Sequence, residues 1–287
     1  MLKSDLKKQP RRYRLGTTSY IYPTDVLPNV KKLAGKVDDV ELVLFEYKNI
    51  SNLPTPENIK QMKQLAEREN LTFTVHLPLD LSIGDFNVSV RNQSLNKAKS
   101  LIKLTNSLNP LGYIIHPDRW TPDAKNEIFP LQHLKNKRFT LGQLNNEDKQ
   151  RINYWVDKVL EGLHTLKPIV AEDSTLCVEN TNFLFDYLFP SLLKSPFGIC
   201  LDVGHLLQSD LEIMPYLRRC LEKLQIIHLH GVSNGKDHQR LTKEMHPQLK
   251  QLFNYLKQND YNGVVTLEVF SEEDLLHSFQ VLKEVCL

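Results

Sequence analysis

The stretch FGICLDVGH at residues 197–205 decides the fold. Its opening, FGICL, is a short apolar run of the kind that predicts a strand buried on both faces. The run ends in Asp202, and His205 follows one helical turn later. A carboxylate and an imidazole therefore stand where a buried strand ends.

Working outward, seven further apolar runs of the same kind give eight predicted strands. They cover residues 14–19, 40–46, 71–76, 112–116, 175–180, 197–202, 225–230 and 264–269. Segments with helical periodicity lie between them, and Thr55-Pro56-Glu57 combines an N-cap with proline at the first helical position. Strand alternating with helix through the chain predicts the α/β class and a single (β/α)8 TIM barrel, with its reactive face at the C-terminal ends of the strands.

The length of 287 residues suits one barrel domain, so the sequence predicts a single domain over 1–287. Two segments fall outside the strand–helix units. Residues 1–12 form a basic tail, and residues 117–149 form a long connection after strand four that we expect to cover the site. No GxGxxG follows the first strand and no GxxxxGK[ST] occurs, which disfavours the nucleotide-binding open sheets.

Composition limits the partners and the compartment. Lys and Arg number 36 against 34 Asp and Glu, a formal charge of +2, which disfavours binding to duplex nucleic acid through phosphates. No apolar run reaches the ~20 residues that span a bilayer, and no apolar segment follows the basic start as in a signal peptide. The 4 cysteines lack CxxC spacing and predict no disulfide. We expect a cytoplasmic protein without a membrane partner; the sequence indicates no oligomeric state.

Seven of the eight predicted strands end in a residue type that can bind a metal. These residues are Glu46, His76, His116, Glu179, Asp202, His228 with His230, and Glu268. A carboxylate at the edge of an apolar barrel is costly unless a cation neutralises it. Asp237 and His238, on a glycine-containing loop after strand seven, could complete a further site, whereas Glu46 is a candidate for indirect support only.

Imidazole and carboxylate ligands without thiolate suit Zn or Mn, and also Fe(II) or Co. The set exceeds what one ion needs, so the sequence predicts two or three divalent ions. A histidine such as His76, taken alone, is more often a hydrogen-bonded framework residue than a metal ligand. The expectation of a metal centre rests on the convergence of the whole set.

Short motifs at these strand ends resemble those of the xylose isomerase-like barrels, which include endonuclease IV and many sugar epimerases. The motifs are VHLP at 75–78, IHP at 115–117, VEN at 178–180, LDVGH at 201–205, HLH at 228–230 and LEV at 267–269. The resemblance implies a shared metal set of Glu179, Asp202, His228 and Glu268. It also implies that His76, His116 and His205 are the added histidines of the three-metal branch. The chain departs from that branch at Asp237 and His238, which are adjacent where the branch has Asp-x-His.

Three segments resemble more narrowly the cobamide-remodelling phosphodiesterases of the CbiR family. They are LGTTSYIYP at 15–23, KVDDVELVLFE at 36–46 and VHLPLDL at 75–81. The resemblance implies a metal-dependent hydrolase that opens the phosphodiester of the cobamide nucleotide loop and releases a cobinamide-type corrinoid. We expect Glu179, His205 and Glu268 to be catalytic. The candidate contacts for the cobamide are Tyr20, Arg119 and Trp120.

Three other functions remain open at this point. A sugar isomerase or epimerase would need one ion and only the shared four-residue set, so His76 and His116 count against it. An endonuclease IV-like repair enzyme would share the larger set, but the modest net charge disfavours it. A non-catalytic corrinoid-binding protein would not require a full set of ligands at the strand ends.

Overall fold

The computed structural model of the chain describes residues 11–117, 145–181 and 185–286. Eight parallel strands close into a barrel, in which each strand pairs with its neighbour in sequence and the last pairs with the first. The strands are β1 Arg14–Thr18, β2 Asp39–Val43, β3 Thr72–His76, β4 Gly112–Ile115, β5 Thr175–Glu179, β6 Gly198–Asp202, β7 Leu224–Leu229 and β8 Val264–Leu267. The predicted (β/α)8 barrel is confirmed.

A helix follows every strand of the barrel. The helices are α1 Val26–Leu33, α2 Pro56–Glu69, α3 Val88–Thr105, α4 Asn146–Leu166, α5 Phe185–Leu193, α6 Val203–Gln208, α7 Ile213–Cys220, α8 His246–Gln258 and α9 Glu272–Cys286. The start predicted for α2 is confirmed, because Thr55 Oγ1 accepts the backbone N–H of Asn58 and the Asn58 side chain accepts that of Thr55. This reciprocal cap satisfies two N–H groups that an open helix end leaves unpaired.

The apolar residues of the barrel form two separate clusters. The larger one lies between strands and helices, and a small one inside the barrel contains Ile114, Cys177, Cys200, Ile226 and Val264. Because side chains alternate across a strand, the residue two positions beyond each member of the inner cluster also points inward. That position is a metal-ligand type or a threonine in every case. The alternation therefore aims the polar side chains at the barrel axis.

Strand β2 ends earlier than the sequence suggested. We expected it to run to Glu46, but it ends at Val43, and Glu46 lies exposed in a short hairpin of Glu46–Tyr47 with Ile50–Ser51. The Asn52 side chain causes the break: its Oδ1 accepts the N–H of Phe45, and its Nδ2 donates to Val43 O. Glu46 is thereby turned away from the barrel axis.

The two segments predicted outside the barrel units are described only in part. Of the connection predicted over 117–149, the last residues belong to α4, which begins at Asn146 because Asn145 Oδ1 caps the N–H of Asp148. Residues 118–144 lie outside the described part, as do residues 1–10 of the basic tail. Arg11 of that tail pairs with Asp38.

Two expectations about the chain's chemistry can be compared with the described residues. Among the described residues, Cys177, Cys200 and Cys220 are buried free cysteines. In the described ranges, no helix has both the length and the apolar composition that crossing a bilayer requires.

Candidate metal centre

Among the described residues, four groups have potential ligand atoms that lie within 4.8 Å of one another. One of them joins Cys200 to Glu179 and His228, and the other three contain only histidines and carboxylates. We call these three the histidine-rich set, the acidic set and the imidazole cluster. They comprise, in that order, His76, His116 and Glu179; Glu179, Asp202, His228 and Glu268; and His205, His230 and His238. Glu179 belongs to the first two sets. The barrel thus assembles side chains from six different strand ends over its axis.

Glu179 lies at the centre of the site with 1% of its side chain exposed. Its Oε2 lies 3.1 Å from His76 Nε2 and 3.3 Å from His116 Nε2. The same oxygen is 3.5 Å from His228 Nδ1, and Oε1 is 3.4 Å from His205 Nδ1. Glu179 therefore faces both sets at once, as a bridging carboxylate must.

The acidic set contains polar atoms that face one another without hydrogen bonding. His228 Nδ1 lies 3.2 Å from Glu268 Oε2, yet both atoms are buried and neither has a hydrogen-bond partner. His228 Nδ1 is also 3.8 Å from Asp202 Oδ2. Buried polar atoms of this kind need a partner. A divalent cation among them would supply it, and the mixed imidazole and carboxylate donors fit Zn, Mn, Fe(II) or Co.

The charges of the two sets reinforce one another. Burial would raise the pKa of Glu179, but the positive charges of His116 and His228 hold it well below its usual range. The same opposition, with His228 and His238 as partners, lowers the pKa of Glu268. Burial lowers the pKa of His76, but its contact with Glu179 outweighs that effect and raises it to about 8. The protein therefore keeps these carboxylates ionised and available to a cation.

His205 and His238 lie beside the acidic set, on the side of the loop after β7. His205 Nδ1 donates to Asn180 O at 2.9 Å and lies 3.5 Å from Asp202 Oδ2. His238 Nε2 is 3.4 Å from Glu268 Oε1, and contact with Glu268 raises the pKa of His238 to about 9 against the lowering effect of burial. Both residues therefore lie next to carboxylates of the acidic set. Asp237 lies outside the three groups, with its Oδ1 3.2 Å from His238 Nδ1.

His230, whose role the sequence left open, is held by its backbone surroundings. Its Nδ1 lies 2.9 Å from the backbone N of His238 and 3.1 Å from Gly231 O. His230 Nε2 faces Asp202 at 3.3 Å and can donate to that carboxylate. The ring packs directly over Gly204, where a Cβ would overlap it. These contacts favour an orienting role for His230 on Asp202.

The candidate substrate contacts are only partly described. Tyr20 lies at the rim, 43% exposed, with its ring edge-on to Phe270 at 6.0 Å between centroids. Phe270 in turn stacks on His238 at 4.9 Å. Arg119 and Trp120 lie outside the described residues.

Sequence reasoning missed one buried carboxylate of the site. Glu41, in the middle of β2, is fully buried, and its Oε2 lies 2.9 Å from His228 Nε2. The signal was present in DVELV, where acidic residues alternate with Val40 and Leu42. The predicted site consists of residues at or after the strand ends, whereas Glu41 lies inside a strand.

Comparison with known proteins places the barrel among related folds. The family model described as xylose isomerase-like TIM barrel matches residues 32–285. The uncharacterized protein MJ1311 of Methanocaldococcus jannaschii is 23% identical over 280 residues, which cover 94% of this chain and 88% of that protein.

Solved structures with the same fold include both sugar epimerases and a nuclease. A D-tagatose 3-epimerase-like protein has a TM-score of 0.70 at 18% identity and covers 95% of this chain and 97% of its own. Endonuclease IV from Thermus thermophilus has a TM-score of 0.63 at 18% identity, with coverage of 94% and 99%. At these identities the likeness concerns the fold alone. The family match spans most of the chain, and the protein belongs to the xylose isomerase-like TIM barrel family.

Proposed function

We propose that the protein is a divalent-metal-dependent hydrolase that opens the phosphodiester of the cobamide nucleotide loop and releases a cobinamide-type corrinoid. One observation carries the choice of a phosphodiester. His76 and His116 lie within 3.1 and 3.3 Å of Glu179 Oε2, beyond the four residues of the acidic set. A single ion bound by the acidic set would not need these two imidazoles as ligands. A second ion that shares Glu179 would need them.

Phosphodiester cleavage makes use of such a pair. Divalent cations, when bound there, would neutralise charge on the phosphate oxygens and lower the pKa of a water molecule. Glu179 is suited to hold the two ions together, because its Oε2 faces both His76 of the histidine-rich set and His228 of the acidic set. Asp202, His228 and Glu268 would complete the coordination of one ion, and His76 and His116 would complete that of the other.

His205 is suited to assist the leaving oxygen. Burial lowers its pKa, but the charges of Asp202 and Glu179 outweigh that effect and raise it. Nδ1 is fixed on Asn180 O at 2.9 Å, which leaves Nε2 as the nitrogen that can face a ligand. In this proposal a protonated His205 orients the leaving oxygen and holds a proton beside it.

The rim offers apolar rings to a bulky substrate. Tyr20 and Phe270 expose 43% and 41% of their surface beside the metal centre. Exposed aromatic faces suit a corrin side chain or a flat heterocyclic base, because stacking stabilises such contacts. We assign Tyr20 and Phe270 to substrate contact on this ground. We expect Arg119 to donate hydrogen bonds to the substrate phosphate and Trp120 to provide a further aromatic contact.

A direct test presents competing substrates to one protein. Metal-loaded protein is incubated separately with an adenosylated cobamide, a panel of ketoses and abasic DNA, and the products are identified by mass spectrometry. We expect a cobinamide-type product that disappears in Glu179→Gln, which removes the shared carboxylate. Glu46→Gln makes the same chemical change at the exposed hairpin and should retain activity.

The alternatives have their own outcomes in that experiment. An epimerised ketose beside intact cobamide would replace the proposal with the epimerase function, for which the acidic set alone is sufficient. Cleaved abasic DNA beside intact cobamide would replace it with the repair nuclease.

A further inference from the structure

The interior of the barrel contains a carboxylate, Glu41, to which the proposed reaction assigns no role. Glu41 lies on β2 with no exposed surface, below the level of the strand ends. Its Oε2 contacts His228 Nε2 at 2.9 Å and lies 3.4 Å from Thr266 Oγ1 and 3.5 Å from Thr74 Oγ1. Its Oε1 is buried without a hydrogen-bond partner. A buried carboxylate in such a place is costly and calls for a reason.

We infer that Glu41 is a positioning residue that fixes the tautomer and the orientation of His228 and so sets the affinity of the acidic set for its cation. An ionised carboxylate can only accept hydrogen bonds, so Nε2 of His228 must carry the proton that it donates to Glu41. Nδ1 is then the nitrogen that is left for a metal. Its surroundings agree, because Nδ1 lies within 3.2 to 3.8 Å of Glu268, Glu179 and Asp202.

The negative charge of Glu41 adds to the effect of its geometry. A carboxylate that accepts from the far nitrogen of a ligating imidazole increases the basicity of the near nitrogen. His228 is fully buried, so water cannot replace Glu41 as that acceptor without a rearrangement of the barrel interior. Among the described residues, Glu41 is the one carboxylate in contact with His228 Nε2.

Two replacements of Glu41 separate the effect of its charge from the effect of its hydrogen bond with His228. Glu41→Gln keeps an oxygen that can accept from His228 Nε2 but removes the charge. Glu41→Leu removes both the acceptor and the charge. If Glu41 acts as we infer, Glu41→Gln should weaken metal binding and Glu41→Leu should weaken it further. A purely structural role would alter stability and leave metal affinity unchanged.

Asp39 supplies a matched control on the same strand. It too is a fully buried carboxylate, two residues before Glu41, and its oxygens accept from Thr72 Oγ1 at 2.6 Å and Thr74 Oγ1 at 2.9 Å. Neither of these contacts involves a histidine. Asp39→Asn therefore changes a buried carboxylate of β2 whose hydrogen bonds do not involve His228, and it keeps an oxygen that can still accept from Thr74, the neighbour that Asp39 shares with Glu41.

The experiment measures metal binding and needs no substrate, so it can fail independently of the proposed reaction, although it rests on the metal centre of that proposal. Zn²⁺ affinity is determined by competition with a chromophoric chelator, and folding of each variant is checked by circular dichroism. We expect Glu41→Leu to lower the Zn²⁺ affinity of the acidic set about 10- to 100-fold, the range typical when a metal-bound histidine loses its outer hydrogen-bond partner. Glu41→Gln should fall between it and the wild type, and Asp39→Asn should match the wild type.

Replacing Zn²⁺ by Co²⁺ adds a spectroscopic readout. We expect the visible absorption of the bound Co²⁺ to shift in Glu41→Leu and to return towards the wild-type spectrum in Glu41→Gln. Folded Glu41 variants that bind Zn²⁺ with wild-type affinity would overturn the inference, and so would an equal loss in Asp39→Asn. A wild-type protein that binds no divalent ion would overturn both this inference and the proposed function.

Discussion

Glu179 owes its position to the alternation of side chains along β5. Cys177 points into the barrel and packs with the inner apolar cluster, so Glu179, two residues later, points to the same axis at the top of the strand. There its Oε2 lies within 3.1 to 3.5 Å of imidazole nitrogens from three other strand ends. The site depends on this one carboxylate because the histidine-rich and acidic sets have no other member in common.

The double variant His76→Ala/His116→Ala should separate the two sets. It removes two ligands from one ion and leaves the acidic set intact, so we expect the bound metal to fall by one ion per chain and cobamide cleavage to be lost. Elemental analysis of protein purified without chelator measures the metal. His277→Ala, on the exposed surface of α9, is the control and should change neither quantity. An unchanged metal content in the double variant would show that these imidazoles hold no ion.

Gly204→Ala should disturb the site through His230. A Cβ at this position would overlap the His230 ring, which contacts Asp202 at 3.3 Å. We expect the displaced ring to release Asp202 and to lower metal affinity about 10-fold, the lower part of the range for outer partners of metal ligands. Isothermal titration with Zn²⁺ checks this, with His230→Ala as the comparison. If Gly204→Ala binds Zn²⁺ like the wild type, the packing of His230 has no effect on the site.

At the scale of elements, the sequence was sufficient wherever local pattern decides the structure. Apolar runs located all eight strands, and Thr55-Pro56 located the start of α2. The predicted end of β2 was wrong because the Asn52 side chain ends the strand through hydrogen bonds with Val43 and Phe45. The spacing of apolar residues carries no information about such a contact. Glu41 was missed for a related reason, since its partner His228 lies 187 positions away.

The cap of α2 gives a test of element stability that leaves the site alone. Thr55→Ala removes the acceptor of the Asn58 N–H, and we expect the free energy of unfolding to fall by about 1 kcal/mol, as is typical for a lost N-cap. Urea denaturation measures this loss, and the Zn²⁺ content should be unchanged. Ser100→Ala, which removes a hydroxyl from the exposed face of α3, is the control and should stay within about 0.5 kcal/mol of the wild type. A similar loss in both variants would contradict the capping role.

For the whole molecule, the charges at the top of the barrel couple folding to pH and to metal. His76 has its pKa raised to about 8, above the ordinary value of 6.5, because Glu179 stabilises its charged form against the cost of burial. A group with a raised folded-state pKa stabilises the fold fully below its unfolded value and loses that contribution as pH rises through the folded value. The metal-free protein should therefore lose stability between pH 6.5 and about 8, with a further loss towards about 9 from His238.

Chelator-treated protein should show this trend in urea denaturation at several pH values. The contribution of His76 corresponds to about 2 kcal/mol between the two limits, since each unit of pKa shift is about 1.4 kcal/mol. His76→Asn should flatten the profile over that window, and His277→Asn should leave it unchanged. Metal-loaded protein should show the opposite slope, because a cation displaces the imidazole protons and binds more tightly as pH rises. Equal slopes for the metal-free wild type and His76→Asn would contradict the assignment.

The position of the oxygen taken from water tests the proposed reaction most directly. An adenosylated cobamide is treated with metal-loaded protein in H₂¹⁸O, and the products are resolved by mass spectrometry, with Glu179→Gln in parallel. Attack of water on phosphorus predicts a cobinamide-type corrinoid and one ¹⁸O atom in the phosphate-bearing product, with no cleavage in the variant. Intact cobamide, or cleavage with the label outside the phosphate, would contradict the proposal that this barrel hydrolyses the nucleotide-loop phosphodiester.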